Sequence, residues 1–241
     1  MALIQALAAI FPGAAEAKRG ALSLPWRSLR ARARGRGVDA ASLAYESPLR
    51  AELLSAAQME RHGKLLAQAH ESRPVPAPDR LLDRLAENEE ALIKTCNLLI
   101  AATVANRRVG PSGEWLLDNF YLLEEQIRTA KRHLPEGYSA QLPQLLNGPS
   151  AGRPRVYDIA LAAISHGDGR VDRESLSRFI SAYQTVAPLN LGELWAVPIM
   201  LRLALIENLR RVGIGIAAGR LDRDFAESWA DRMIAAAERD P

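Results

Sequence analysis

The residues of this chain that could carry chemistry are few and scattered. His62, His70, His133 and His166 are its four histidines. No two sit at i, i+4, the spacing that sets paired zinc ligands on one helix face. His166-Gly-Asp168-Gly-Arg-Val-Asp172 places two carboxylates four apart around glycines, as a cation loop would. A calcium loop counted from Asp168 needs an oxygen ligand at its third position and a glutamate at its twelfth. Those positions hold Arg170 and Phe179. The segment therefore reads as a turn between helices, with Asp172 as the N-cap of the second. Asp222-Arg223-Asp224 has the D-x-D form in which two carboxylates hold a divalent cation against a diphosphate. That form normally follows a strand in an α/β fold. Here the surrounding sequence is helical, and the triplet reads as negative charge at a helix start.

Asp118, Glu124 and Glu125 are acids on one helical stretch. Glycoside hydrolysis needs carboxyls facing each other across a cleft, ~5 to 10 Å apart. Acids along one helix surface do not meet that need, and Glu124 with Arg128 has the spacing of an ordinary i, i+4 pair. Cys96 is the single cysteine and lies in the apolar run ALIKTCNLLIAATVA. It reads as a buried core thiol, and excludes an internal disulfide or a cysteine-based metal cluster. Arg202 stands in an apolar helix, where a charge needs a partner: Glu193 or Glu207 on a neighbouring turn, or an acid on another helix. Trp115, Trp195 and Trp229 stand at inward helical positions, which makes core packing the first expectation. No Walker-type Gly-rich phosphate loop occurs.

The elements that would position these residues are helical. Aromatic residues make up only 5% of the chain against 48% hydrophobic residues, many of them alanine. That balance favours close-packed helices over sheet. Residues 1–48 are punctuated by Pro12, Gly13, Gly20, Pro25, Gly35, Gly37 and Pro48, and read as a loosely ordered basic segment. Leu49 to His70 has helical periodicity. Pro74, Pro76 and Pro78 make a linker ending at 78. Residues 79–241 form the helical domain, with Asp79 as a cap for a long helix to Arg108. Gly113 to Leu134 (GEWLLDNFYLLEEQIRTAKRHL) reads as one amphipathic helix. Its inner stripe is Leu116, Phe120, Leu123, Ile127 and Leu134. Asn190 and Glu193 have capping-box spacing ahead of the most apolar helix, which Pro198 should kink. Gly213, Gly215 and Gly219 should weaken its end. A last helix from Leu221 to Glu238 would turn Phe225, Trp229, Met233 and Ile234 inward. The fold class expected is all-α: an irregular bundle of about seven or eight helices.

The net charge of +3 is mild, but the bases cluster. Arg27, Arg30, Arg32, Arg34 and Arg36 follow Lys18 and Arg19 with no acid between. That run could contact anionic lipid head groups, with nucleic acid the weaker candidate. No stretch has the roughly 20 apolar residues of a membrane span. The opening MALIQALAAIFPG lacks a positive n-region and reads as a short amphipathic segment. The single thiol is consistent with a reducing cytoplasm.

Three phrases carry a resemblance: WLLDNFYLLEEQIR, GPSAGRPRVYDIAL and SRFISAYQTVAPLNLGELWAVPIMLRLALIENLRR. With them, residues 92–240 resemble the amino-terminal region of the bacterial cyclic β-1,2-glucan synthases, and the first ninety residues do so more loosely. The resemblance implies a large inner-membrane glycosyltransferase that makes periplasmic cyclic glucans from UDP-glucose, with a divalent cation at its transferase module. Its transferase, trimming and membrane-spanning modules lie downstream of this region. No catalytic, cofactor-binding or metal-binding residue carries over onto this chain. The implied role is a scaffold on the cytoplasmic face of the inner membrane, its partners being the downstream transferase and membrane modules of the same polypeptide. Trp115, Asp118, Tyr121, Glu125 and Arg128 are the expected contact residues. An independent helical binding module, using the arginine run on anionic lipid or nucleic acid, is the alternative.

Overall fold

Ser55 starts the first helix. Its side chain accepts from the Gln58 amide while the Gln58 side chain accepts from the Ser55 amide, a complete capping box. The computed structural model describes residues 46–73, 78–167 and 169–238. Helix α1 spans Ala56–Ala69. The periodicity predicts an earlier start, at Leu49. Three amides here go instead to other elements: Leu49 donates to Asn208 Oδ1, Ala51 to the Ser165 carbonyl and Leu54 to the His166 carbonyl.

After α1 the chain forms a two-residue strand, β1 (Ser72–Arg73), antiparallel to β2 (Gln144–Leu145). The prolines predict an extended linker to 78; Ser72 and Arg73 are extended and paired, while Pro74 and Pro76 lie outside the described residues. Helix α2 spans Arg80–Val104, with Leu81, Leu85, Leu92, Cys96 and Leu99 buried along one face. Asp79 precedes it but does not cap it. Its carboxylate accepts instead from the Gly137 amide and the Ser139 hydroxyl, tying α2 to the loop after α4.

The stretch 113–134 is two helices, not one. Helix α3 spans Pro111–Asp118 and helix α4 spans Phe120–His133. Asn119 interrupts them: its side-chain amide donates to the Trp115 carbonyl at 2.8 Å, and its backbone leaves the helical region. A short polar side chain competing for backbone acceptors is the usual cause of such a break. The predicted inner stripe survives it, with Leu116, Phe120, Leu123, Ile127 and Leu134 all buried.

Helix α5 spans Arg155–His166 and α6 spans Arg173–Gln184. Asp172 caps α6, accepting from the Ser175 amide at 2.8 Å. The glycines before it are sterically required. A Cβ at Gly167 would collide with the Arg170 carbonyl, and Gly169 has φ +73°. Asp168 lies outside the described residues, and the surrounding geometry is that of the expected turn.

Helix α7 spans Leu191–Ala237, 47 residues without interruption. At 1.5 Å per residue it is about 70 Å long. Asn190 and Glu193 form the expected capping box at its start. The helix does not end near the glycines, so the separate last helix expected from Leu221 is its continuation. Pro198 lies on the exposed side, where water can answer the lost backbone bond. Every residue from Ile199 to Arg210 is buried, so this stretch is covered all round. Helices α2, α3, α4 and α5 pack around it, and α1 packs along α6. The described residues are therefore an all-α bundle of seven helices.

Candidate functional site

The most heavily charged place in the core is on α7. Glu207 is nearly inaccessible and meets three arginines. Arg84 of α2 donates from Nε at 2.9 Å and Nη2 at 2.8 Å. Arg210 and Arg211 donate at 2.9 Å and 2.8 Å. Burial alone would raise the Glu207 carboxyl. The hydrogen bonds from Arg84, Arg210 and Arg211 outweigh it and hold the group at about 2. Glu46 closes the cluster with Arg84, Arg210 and Arg211, at 3.0, 2.8 and 2.9 Å. A carboxylate held this low stays ionised at neutral pH and cannot give up a proton as a general acid. The arrangement clamps the segment at Glu46, α2 and α7 together.

A second network joins α1, α5, α6 and α7. Arg155 donates to Glu193 at 2.6 and 2.8 Å and to the Pro188 carbonyl. The His70 ring bonds the Tyr183 hydroxyl at 2.9 Å and Asp158 Oδ2 at 3.1 Å. The Ser150 hydroxyl donates to Asp158 Oδ1. Serine, aspartate and histidine thus meet, but the serine touches the aspartate and not the histidine. A nucleophile needs the base within reach of its own proton, so this chain of bonds fastens elements instead of activating an oxygen. Burial raises the Asp158 carboxyl, but His70 and Ser150 outweigh it and leave it lowered.

The other candidates separate in space. Asp224 is bonded by Arg220 and Arg107. The Arg220 bond is the main reason its carboxyl is lowered. It lies inside α7, not at a helix start, because the helix runs on through the glycines. Cys96 is fully buried, and burial together with Glu124 pushes its thiol up to about 12. Arg202 is buried, which lowers its pKa, while the two glutamates expected near it serve other arginines. Among the described residues, no three His, Cys, Asp or Glu side chains are placed to share a metal ion. A small pocket of about 160 Å³ opens between α1, α5 and α6, beside Met59, His166, Arg170 and Phe179.

The expected contact residues sit on α3 and α4. Asp118, Glu125 and Arg128 are exposed, Tyr121 is half-buried, and Trp115 packs partly against the core. Tyr121, Glu125 and Arg128 recur at i, i+4, i+7 and share one outward face. The break at Asn119 puts Trp115 and Asp118 on a different helix from these three. Trp195 and Trp229 are not core residues: they are 73% and 54% exposed. Phe225, Met233 and Ile234, also expected inward, are equally bare. Sequence periodicity cannot separate a stripe facing a core from one facing solvent. Arg27, Arg30, Arg32, Arg34 and Arg36 lie outside the described residues, as do positions 1–45 generally.

No protein-family model matches the chain. Among curated proteins it is 33% identical, over 201 residues, to the cyclic β-(1,2)-glucan synthase NdvB of Rhizobium meliloti (strain 1021). The chain is related to a region of a cyclic β-(1,2)-glucan synthase. The match covers 83% of this chain and 7% of the length of that synthase. The synthase-related region therefore includes most of the bundle, and both buried networks fall in a chain of this kinship. Among its described residues no helix is long and apolar enough to cross a membrane.

Proposed function

We propose that this chain is a helical scaffold of a cyclic β-(1,2)-glucan synthase, packing against the modules that carry out glucan synthesis without making or breaking bonds itself. The kinship to the synthase over most of the chain supports the reading. Within the bundle, the buried carboxylates Glu193 and Glu207 are both engaged by arginines. That commits them to holding helices together. UDP-glucose and its divalent cation would be handled by other modules of the same polypeptide. The scaffold would sit at the cytoplasmic face of the inner membrane, beside the membrane-spanning part. The outward face of α4 (Tyr121, Glu125, Arg128), with Asp118 and Trp115 of α3 beside it, is the proposed contact.

The test is Glu125→Arg combined with Arg128→Glu in the full-length synthase. Both side chains are exposed, so the bundle should keep its stability. The expected result is normal protein level with a several-fold loss of cyclic glucan made by isolated membranes. Unchanged output at unchanged protein level would remove the contact. Purified chain that consumed UDP-glucose unaided would remove the scaffold reading altogether.

A further inference from the structure

The last part of α7 stands clear of the bundle. From Phe225 to Glu238 every residue except Ala235 is exposed. One face of this projection is apolar: Phe225, Trp229 and Met233 recur every four residues, with Ala226, Ala230, Ala237 and Ile234 alongside. Their exposures are 69%, 54% and 54% for the first three and 59% for Ile234. The opposite face carries Asp224, Glu227, Asp231 and Glu238. Asp224 is engaged by Arg107 and Arg220. The remaining acids, Glu227, Asp231 and Glu238, lie beyond the Ile234 edge of the apolar face, with Arg223 and Arg232 as the bases nearby. A projecting helix of this length is marginal in water unless its apolar face is covered.

We infer that residues 1–45 of this same chain cover the apolar face of α7 between Phe225 and Ile234. Three observations favour this occupant. The first is where the segment begins. Glu46 is pinned by Arg210 and Arg211 to α7 itself, and Ser47 accepts from Arg211. From Arg211 the stripe lies about 21 to 35 Å further along the helix axis. Even in helical form, forty-five residues extend about 68 Å, so the segment reaches the whole stripe. The second is charge. Residues 1–45 hold seven basic side chains (Lys18, Arg19, Arg27, Arg30, Arg32, Arg34, Arg36) against Glu16 and Asp39. They meet an acidic helix. A second copy of α7 would instead set one acidic border against another, which is unfavourable. The third is apolar matching. Leu3, Leu7, Ile10 and Phe11 fall at helical spacing, and Leu22, Leu24, Trp26 and Leu29 follow close to the arginines. The segment thus supplies an apolar surface and a positive border in one stretch.

The test uses the full chain with Trp229→p-benzoylphenylalanine as a photo-crosslinker. The expected product is a monomer-mass species whose crosslinked peptide maps within residues 1–45. Neutralising Arg30, Arg32 and Arg34 to Gln should reduce its yield several-fold. A crosslink to a second copy, to the bundle alone, or no crosslink in the monomer would overturn the inference. An independent readout is trypsin cleavage between Lys18 and Arg36. It should be several-fold faster in Phe225→Glu/Met233→Glu than in the unaltered chain, since the altered side chains are exposed and the bundle does not need them. Equal cleavage rates would also overturn it.

Discussion

Gly63 of α1 lies so close to Phe179 of α6 that a Cβ at position 63 would stand 2.8 Å from the Phe179 carbonyl oxygen and 3.1 Å from its ring. The contact is with backbone, which cannot turn aside as a flexible side-chain end can. Gly63 is buried and Phe179 is fully buried. Replacing Gly63 by Ala should therefore force α1 and α6 apart, although alanine is the better helix former. Overpacking of this kind costs about 1 to 3 kcal/mol, more than the roughly 1 kcal/mol by which alanine favours a helix. Urea unfolding of Gly63→Ala should show a net loss of stability. A gain would mean that the two helices can separate freely.

Glu207 makes the bundle sensitive to acid. Its folded value of about 2 lies below the ordinary 4.5, so the folded state binds its proton less readily than the unfolded chain. The stabilisation is complete above pH 4.5 and is lost as the pH falls through about 2. A shift of this size corresponds to about 3 kcal/mol. Unfolding free energies measured across that window should fall accordingly, on top of the losses from other carboxylates. Glu207→Gln should remove this contribution and cost about 3 to 5 kcal/mol at neutral pH, because Arg210 stays buried with one acid fewer. A variant as stable as the parent at pH 7 would show that Glu46 alone suffices for the arginines.

What was legible in the sequence was local. Asn190 with Glu193, and Asp172 ahead of α6, announce helix starts because a cap is a relation across three residues. The stripe Leu116, Phe120, Leu123, Ile127 follows from period alone, and the kinship phrases lie in the same stretches. What was not legible was non-local. Arg84 and Glu207 are 123 residues apart, and nothing in either neighbourhood names the other. Asp79 looked like a cap until the fold brought the Gly137 amide and Ser139 to it. Helix α7 outlasts Gly213, Gly215 and Gly219 because each glycine costs only about 1 kcal/mol. Burial of Ile214, Ala217 and Arg220 offsets that cost. Phe225 and Trp229 have the spacing of core residues and are bare, because exposure is not a property of spacing.

Tyr183 gives a milder test of the second network. Tyr183 is fully buried, and its hydroxyl meets His70 Nδ1 at 2.9 Å. Tyr183→Phe keeps the ring but leaves that nitrogen without its partner. The expected loss is about 1 to 3 kcal/mol, read by thermal or urea unfolding. Asp158→Ala should cost more, since it releases both His70 and Ser150. The reverse order would mean that the His70 ring is fastened through Tyr183 and not through Asp158.

Cys96 offers a probe of the whole bundle. The thiol is fully buried on α2, and its pKa of about 12 leaves almost no thiolate at pH 8. Thiolate is the species that attacks an aromatic disulfide reagent. Labelling of the native chain should therefore wait for an opening that exposes α2, and its rate should report the free energy of that opening. In the unfolded chain the same thiol should react at the ordinary rate. Glu207→Gln, which loosens the clamp between α2 and α7, should speed native labelling by the factor its stability loss dictates. A loss of about 3 kcal/mol predicts more than a hundredfold, at 1.4 kcal/mol per tenfold. Fast labelling of the unaltered chain at pH 8 would mean that α2 opens without unfolding the bundle.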